Sequence, residues 1–339
     1  MNRIRIILSV LLLCMLFERT GAQDLHFSQF FNSPLSINPA NTGFIPDADY
    51  RLGVHYRNQW SSILSAPYKT ISAFGDAQLF RNTLENGWLG VGALILSDQA
   101  GSGSLTSTKI YGSVAYHQML GNSSLLSAGF NLGWANKRID QSNLKFPDQF
   151  DGHFFDHNLS TMVALTNTSV SYFDMQVGLN YAYFPKEDIY INVGYSIHHV
   201  NRPKESFFTN DAADAVIPMR HIGFINAILK VNPKVIINPN IYFTTQAKAT
   251  ELMGGLNANY NLSDAGEIQL IAGLYYRYND ALIPMVGLEY KNIRVTFSYD
   301  VTTSSLNSFN NYRGASEFNL IKNGFYPENA DRQALCPKF

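Results

Sequence analysis

The chain has 339 residues, with 25 Lys and Arg against 26 Asp and Glu, a formal net charge of -1 that leaves no basic stripe for a nucleic acid. Charged residues are only 15% of the chain, against roughly 25% in ordinary soluble proteins, while 23 Phe and 19 Tyr bring the aromatic share to 13%. Two cysteines exclude a disulfide framework.

At the start, Arg3 and Arg5 precede an apolar run from Ile6 to Phe17, which ends before Glu18, Arg19 and the small residues Thr20, Gly21 and Ala22. That is the pattern of a secretory signal peptide, with cleavage expected after Ala22 and a mature chain from Gln23. The run is shorter than the roughly 20 residues a membrane-spanning helix needs, and no later stretch compares with it. Cys14 lies inside the run rather than at the cleavage point, which argues against a lipoprotein. It leaves Cys336 as a lone thiol near the chain end, either a partner in a mixed disulfide or without a role.

Residues 23–50 show no regular alternation and are expected to lie apart from the main fold, as a segment able to plug it. From Arg51 the side chains alternate with a period of two. Leu52, Val54, Tyr56 and Trp60 share one face there, and Arg51, His55, Arg57 and Gln59 the other. The same pattern recurs over 188–199, 268–278 and 293–302. Strands are expected near 51–60, 68–79, 87–97, 105–118, 124–137, 168–183, 188–200, 219–230, 234–246, 250–261, 266–278, 281–291, 292–303 and 312–322. Short polar links at Leu120-Gly121-Asn122, Pro185-Lys186-Glu187, Asn232-Pro233 and Asn279-Asp280 suit antiparallel turns. Segments 23–49, 139–167 and 201–216 break the rhythm and are candidate functional surfaces.

These features predict an all-β fold: a single antiparallel outer-membrane β-barrel of about 14 strands over residues 51–325. The N-terminal segment and the central loop are expected to fold into its lumen. A tail, 326–339, leaves the barrel on the periplasmic side together with the N-terminus. A soluble sandwich would also alternate, but its solvent face would carry Lys and Glu, where the polar rows here carry Gly, Ser, Thr, Asn and Gln.

Among the charged residues within predicted strands, Arg51, Arg57, Asp76, Lys109, Arg277, Glu289, Arg294 and Asp300 are singled out. A basic side chain facing lipid near the midplane costs about 2 to 4 kcal/mol, so these are expected in the lumen or at the rims. They could form a gate or ligand channel; the favoured reading is a salt-bridged lumen that meets an in-folded segment. The pairs Phe30-Phe31, Phe154-Phe155 and Phe207-Phe208 are candidate partner or plug contacts. Asp151, His153, Asp156 and His157 crowd the central loop, but they lack EF-hand spacing, and a polar loop accounts for them more simply than a metal site. His198 and His199 should point to opposite faces at a strand end and serve the rim. No phosphate-binding loop, nucleophile elbow or zinc-binding helix is present, so neither catalytic residues nor a cofactor is assigned.

Specific words in the sequence carry a resemblance. The mature start reads Gln23-Asp24-Leu25-His26-Phe27-Ser28-Gln29-Phe30 and continues Asn32-Ser33-Pro34-Leu35-Ser36-Ile37-Asn38-Pro39-Ala40-Asn41-Thr42-Gly43. Tyr56-Arg57-Asn58-Gln59-Trp60, Pro67-Tyr68-Lys69-Thr70, and Ser72 with Asp76 follow. Further on come Phe146-Pro147-Asp148-Gln149-Phe150, His199-Val200-Asn201-Arg202-Pro203, Tyr299-Asp300 and Gly314-Ala315-Ser316-Glu317. Together they resemble the PorP/SprF family of type IX secretion system membrane proteins of Bacteroidetes, and the ending Cys336-Pro337-Lys338-Phe339 resembles its SprF-like branch. The resemblance implies an outer-membrane protein that helps secrete or anchor a large surface adhesin carrying a type B C-terminal domain, in gliding motility or adhesion. It also implies contacts with the periplasmic secretion ring and with peptidoglycan-associated components. A solute channel and a barrel enzyme are the rival readings.

Overall fold

Period-two alternation lets one row of a strand face lipid while the next faces the interior, and closing the sheet on itself removes the unpaired edges. The computed structural model realises both. It describes residues 27–327 apart from 47, 82, 102–104, 141–143, 145, 151, 155, 157–158, 160–166, 208–214 and 264–266. The expected signal peptide, its cleavage point, Cys336 and most of the tail lie outside the described residues.

The strands are β1 (Tyr50–Gln59), β2 (Tyr68–Leu79), β3 (Gly87–Ala100), β4 (Leu105–Met119), β5 (Ser124–Arg138), β6 (Ser169–Lys186), β7 (Ile189–His198), β8 (Arg220–Asn232), β9 (Val235–Gln246), β10 (Ala249–Asn261), β11 (Ile268–Arg277), β12 (Ala281–Tyr290), β13 (Ile293–Thr302) and β14 (Arg313–Gly324). Each pairs antiparallel with its neighbours in sequence. β1 also pairs with β14, from Tyr50 opposite Gly324 to Gln59 opposite Ala315, so the barrel is closed. Most expected boundaries fall within a few residues of these. One expected turn is instead strand: β6 runs on through Pro185 and Lys186, where its register with β7 shifts between Tyr183 and Lys186. Proline is tolerated there because the ladder is already broken.

The outer face carries Leu52, Val54, Val114, Leu132, Leu179, Val193, Ile241, Leu256, Leu274 and Val286, all exposed. Exposed Tyr181, Tyr183, Tyr260 and Tyr290 stand toward one end of the strands and Tyr68, Tyr276, Tyr278 and Tyr312 toward the other. This is the apolar band between two aromatic girdles that a bilayer requires. Connections at the end where β1 starts and β14 finishes are mostly tight, as at 187–188, 233–234 and 291–292, whereas 139–168 and 199–219 connect strands at the opposite end. Short turns mark the periplasmic end of such barrels and long loops the extracellular end.

Inside runs the N-terminal segment. It forms three single 3-10 turns, Phe30–Asn32, Pro34–Ser36 and Pro39–Asn41, two of them opened by a proline whose missing N–H costs nothing at that position. The third turn seats on the inner face of β5 and β6, where Gly129 and Gly178 stand opposite each other. A Cβ on Gly129 would run into the backbone of Pro39 and Ala40, and one on Gly178 into the Asn38 side chain. The glycines are thus the hollow that admits the segment. The segment does not stay with the C-terminal end of the chain. It enters beside Gly324, whose carbonyl accepts from Asp49 N at 2.9 Å, and climbs the lumen to Phe27 and Ser28, among residues near the extracellular strand ends. An even strand count puts the start of β1 and the end of β14 on one side; the buried carboxylates described below draw the preceding residues to the other.

Gly129→Val should unseat the segment without opening the wall, since overpacking costs about 1 to 3 kcal/mol. Chymotrypsin cleavage near Phe30, Phe31 and Phe44 should then accelerate by roughly tenfold, while heat-modifiable gel mobility stays that of a folded barrel.

Candidate functional site: the plugged lumen

A carboxylate taken out of water must be paired or fully hydrogen-bonded, and in the lumen this demand organises the plug. Glu317, fully buried on the inner row of β14, accepts from Ser28 N at 2.7 Å and Gln29 N at 2.9 Å. Its remaining capacity goes to Arg57 Nη1 and to His55 Nε2, the latter at 3.1 Å. The Ser28 hydroxyl donates to Asp300 at 2.8 Å and accepts from Arg57 Nη1 at 2.9 Å and from Arg277 Nη2. Arg57 Nη2 and Arg277 Nη1 reach Asp300 Oδ2 at 3.0 and 3.2 Å, and Arg277 also meets Asp280 at 2.8 Å and Glu251 at 3.7 Å. Two guanidinium groups, from β1 and β11, are therefore balanced by carboxylates and share the Ser28 hydroxyl.

Below this cluster the plug is held mainly by neutral groups. Gln29 Nε2 donates to Ser298 Oγ at 3.0 Å, and Asn32 Nδ2 to Thr296 Oγ1 at 3.1 Å. Ile37 O accepts from Ser196 Oγ at 2.5 Å and His198 Nε2 at 3.2 Å; Thr42 O accepts from His117 at 2.8 Å, Gly43 O from Trp88 Nε1 at 2.9 Å and Ile45 O from Gln78 Nε2 at 2.6 Å. Asp76 is the exception: it accepts from Gly43 N at 2.8 Å and is itself clamped by Arg51 Nε and Nη2 at 3.1 and 2.8 Å. Ring contacts add to this, with Phe27 stacked on His55 at 4.1 Å, Phe31 stacked on Tyr275 at 5.1 Å and Phe30 tilted against Tyr242 at 5.0 Å.

Of the predicted charges, Arg51, Arg57, Asp76, Arg277 and Asp300 all meet the plug or its anchors. Lys109 is buried beside Tyr111, Gln176 and His198 around a void of about 30 Å3. Arg294 lies half-exposed toward the periplasmic end, 2.7 Å from Glu289. Phe30 and Phe31 are plug residues. Phe154 is 76% exposed in the central loop, away from any core, and Phe207 is half-buried; Phe155 and Phe208 lie outside the described residues. So do Asp151 and His157, and among the described residues no group of three His, Cys, Asp or Glu side chains is arranged to hold a metal.

The two adjacent histidines do not face opposite ways. β7 ends at His198, His199 takes a φ of +57°, and both side chains are buried, His199 Nδ1 lying 2.8 Å from Asp174 while His198 holds the plug. Alternation fails there because the strand has ended. Sequence reasoning passed over Glu317, which alternation itself marks: it shares the inner row with Ala315 and Asn319, while Phe318 and Leu320 point to lipid. Ser28 carried no such signal, because it lies outside the strands and three of its partners, Arg277, Asp300 and Glu317, are about 250 or more residues away.

Toward the periplasm the plug leaves part of the lumen free. A cavity of about 390 Å3 lies between Phe30, Phe31, Phe44 and the inner faces of β7 to β12, with Arg294 and Glu289 at its edge. Its wall combines a row of side-chain amides on β7 to β11 with apolar residues of the plug and of β8 and β9.

A closed antiparallel barrel with an apolar belt, two aromatic girdles and a polypeptide plug belongs to the class of outer-membrane β-barrels. The chain is a member of the type IX secretion system membrane protein PorP/SprF family, whose model matches residues 19–321. No curated protein matches the sequence. Among solved structures it is similar to the toluene transporter TodX of Pseudomonas putida, with 13% identity over 89% of this chain and 94% of that one and a TM-score of 0.51. It is also similar to a FadL homologue of Pseudomonas aeruginosa, with 9% identity over 84% and 91% and a TM-score of 0.51. At such identities the likeness is one of fold.

Glu317→Ala should strand Arg57 and two plug N–H groups, at a cost of about 3 to 5 kcal/mol. In planar bilayers the native protein should conduct far less than an open porin. The variant should show larger or fluctuating openings, with faster hydrogen exchange at Ser28 and Gln29.

Proposed function

We propose that this protein is the outer-membrane partner of a type IX secretion system dedicated to a large surface adhesin with a type B C-terminal domain, which it helps secrete and anchor for adhesion or gliding. The observation that carries the reading is the family match across nearly the whole barrel. The plugged lumen supports binding rather than free diffusion as its mode of action. The long extracellular connections supply a surface: Lys137 at the end of β5 pairs with Glu205, and Asn167 N donates to Phe207 O at 3.1 Å, tying 139–168 to 199–219. Phe154 stands out from that surface as an aromatic anchor for cargo. On the periplasmic side, the tight turns offer docking for the secretion ring and its peptidoglycan-associated components.

A channel for small apolar solutes, as in the toluene transporter TodX, is a second reading that the shared fold keeps in play. The amide lining of the periplasmic cavity weighs against it, since apolar solutes gain nothing from displacing water bound to such groups.

Deleting the gene should remove one large adhesin from the cell surface and leave other type IX cargo in place, as read by proteomics of surface and medium, with the full-length gene restoring it. Loss of all such cargo would make the protein a core part of the machine instead. No change in either fraction would overturn the secretion role.

A further inference from the structure

The plug and the free cavity share one wall chemistry. Ser28–Gly43 contains no charged residue, and much of its backbone is held by neutral side chains: Ser196 and His198 on Ile37 O, His117 on Thr42 O, Trp88 on Gly43 O. Across the lumen, the periplasmic cavity continues that lining without an occupant. Asn192 stands opposite Asn226 across β7 and β8, and Asn226 opposite Asn240 across β8 and β9. Asn238 donates to Asn259 at 3.3 Å and Asn259 to Gln269 at 3.0 Å, extending the amide row toward β11.

The row is not saturated. Asn192 is 96% buried by its 4% exposure, yet its Oδ1 has no hydrogen-bond partner, and the same holds for the buried Oδ1 of Asn226. An unpaired buried amide oxygen costs about 1 to 3 kcal/mol, a cost that a donor entering the cavity would recover. Carboxamides both donate and accept, which matches the alternating N–H and C=O of an extended polypeptide, and Phe31 and Phe224 offer apolar faces for its side chains. At about 390 Å3 the space is that of a true ligand site. The charged side chains at the cavity are already matched, Arg294 to Glu289 and Arg51 to Asp76, which leaves a charged ligand no free counter-charge among them.

We propose that this periplasmic cavity binds an extended, uncharged polypeptide segment of a periplasmic partner, laid beside the plug and hydrogen-bonded to the amide row of β7 to β11. The partner resembles the plug in chemistry: small polar residues with an occasional aromatic. This goes beyond the cargo role proposed above and does not depend on which adhesin is carried.

The test uses the full-length barrel in nanodiscs and a synthetic peptide of sequence Ser28–Gly43 with benzoylphenylalanine replacing its second phenylalanine. Saturable binding is expected, with photocrosslinks on β7 to β11. Asn192→Leu and the cavity-filling Asn226→Trp should each weaken it by about tenfold, the worth of one or two buried hydrogen bonds. Gel mobility and melting temperature verify that both variants fold, and either one alone suffices for the comparison. The proposal falls if binding is unchanged in a folded variant, if crosslinks map to β2–β5 and β14 because the peptide has displaced the plug, or if only maltohexaose or toluene binds in a manner that these substitutions abolish. Since binding is read on purified protein and cargo export in cells, each can fail without the other.

Discussion

The four side chains Arg57, Arg277, Asp300 and Glu317 set the condition that the rest of the lumen obeys. Two carboxylates and two guanidinium groups in a space closed to solvent would be ruinous singly and are costly even in pairs. Glu317 has four partners, two of them backbone N–H groups of the plug, and the Ser28 hydroxyl joins Asp300 to both arginines. Without the plug, Glu317 and Asp300 would each lose hydrogen bonds from it. A plug so anchored is part of the fold rather than an accessory, and the wall has been hollowed at Gly129 and Gly178 to receive it.

The wall was legible in the sequence because a bilayer imposes one rule on each strand, apolar outward every second residue, and Leu52, Val54, Leu274 and Tyr276 keep to it. The ends of that rule were less legible. Pro185 reads as a turn in isolation but occupies a bulge, and His199 turns inward because the ladder has stopped at His198. The inner row was legible as a set of charges, but their partners were not, since pairing depends on which strands closure brings together. Glu317 and Ser28 are 289 residues apart in sequence and 2.7 Å apart in space.

The words that carried the family resemblance gain a physical meaning from this arrangement. Ser28 and Gln29 come from the N-terminal block, Arg57 from Tyr56-Arg57-Asn58-Gln59-Trp60, Asp300 from Tyr299-Asp300 and Glu317 from Gly314-Ala315-Ser316-Glu317. All of them meet in one cluster. Asp76 and Gly43, from two further words, meet in another. A resemblance that looked like scattered text is the plug together with its sockets. The words of the extracellular loops, such as Phe146-Pro147-Asp148-Gln149-Phe150, belong to a different surface.

The lumen is consequently polarised along its axis. The Arg57–Arg277–Asp300–Glu317 cluster lies toward the extracellular end, where Ser28 is locked, and the neutral amides face the periplasm, where the only charges are the matched pairs Arg51–Asp76 and Glu289–Arg294 among those described above. Ion pairs of this kind hold one partner in one geometry, because charge-assisted hydrogen bonds are strong and directional. Amides are less exacting, since each can donate or accept and can rotate to suit the chain that arrives. The rigid network thus closes the end facing the medium, and the adaptable one faces the periplasm.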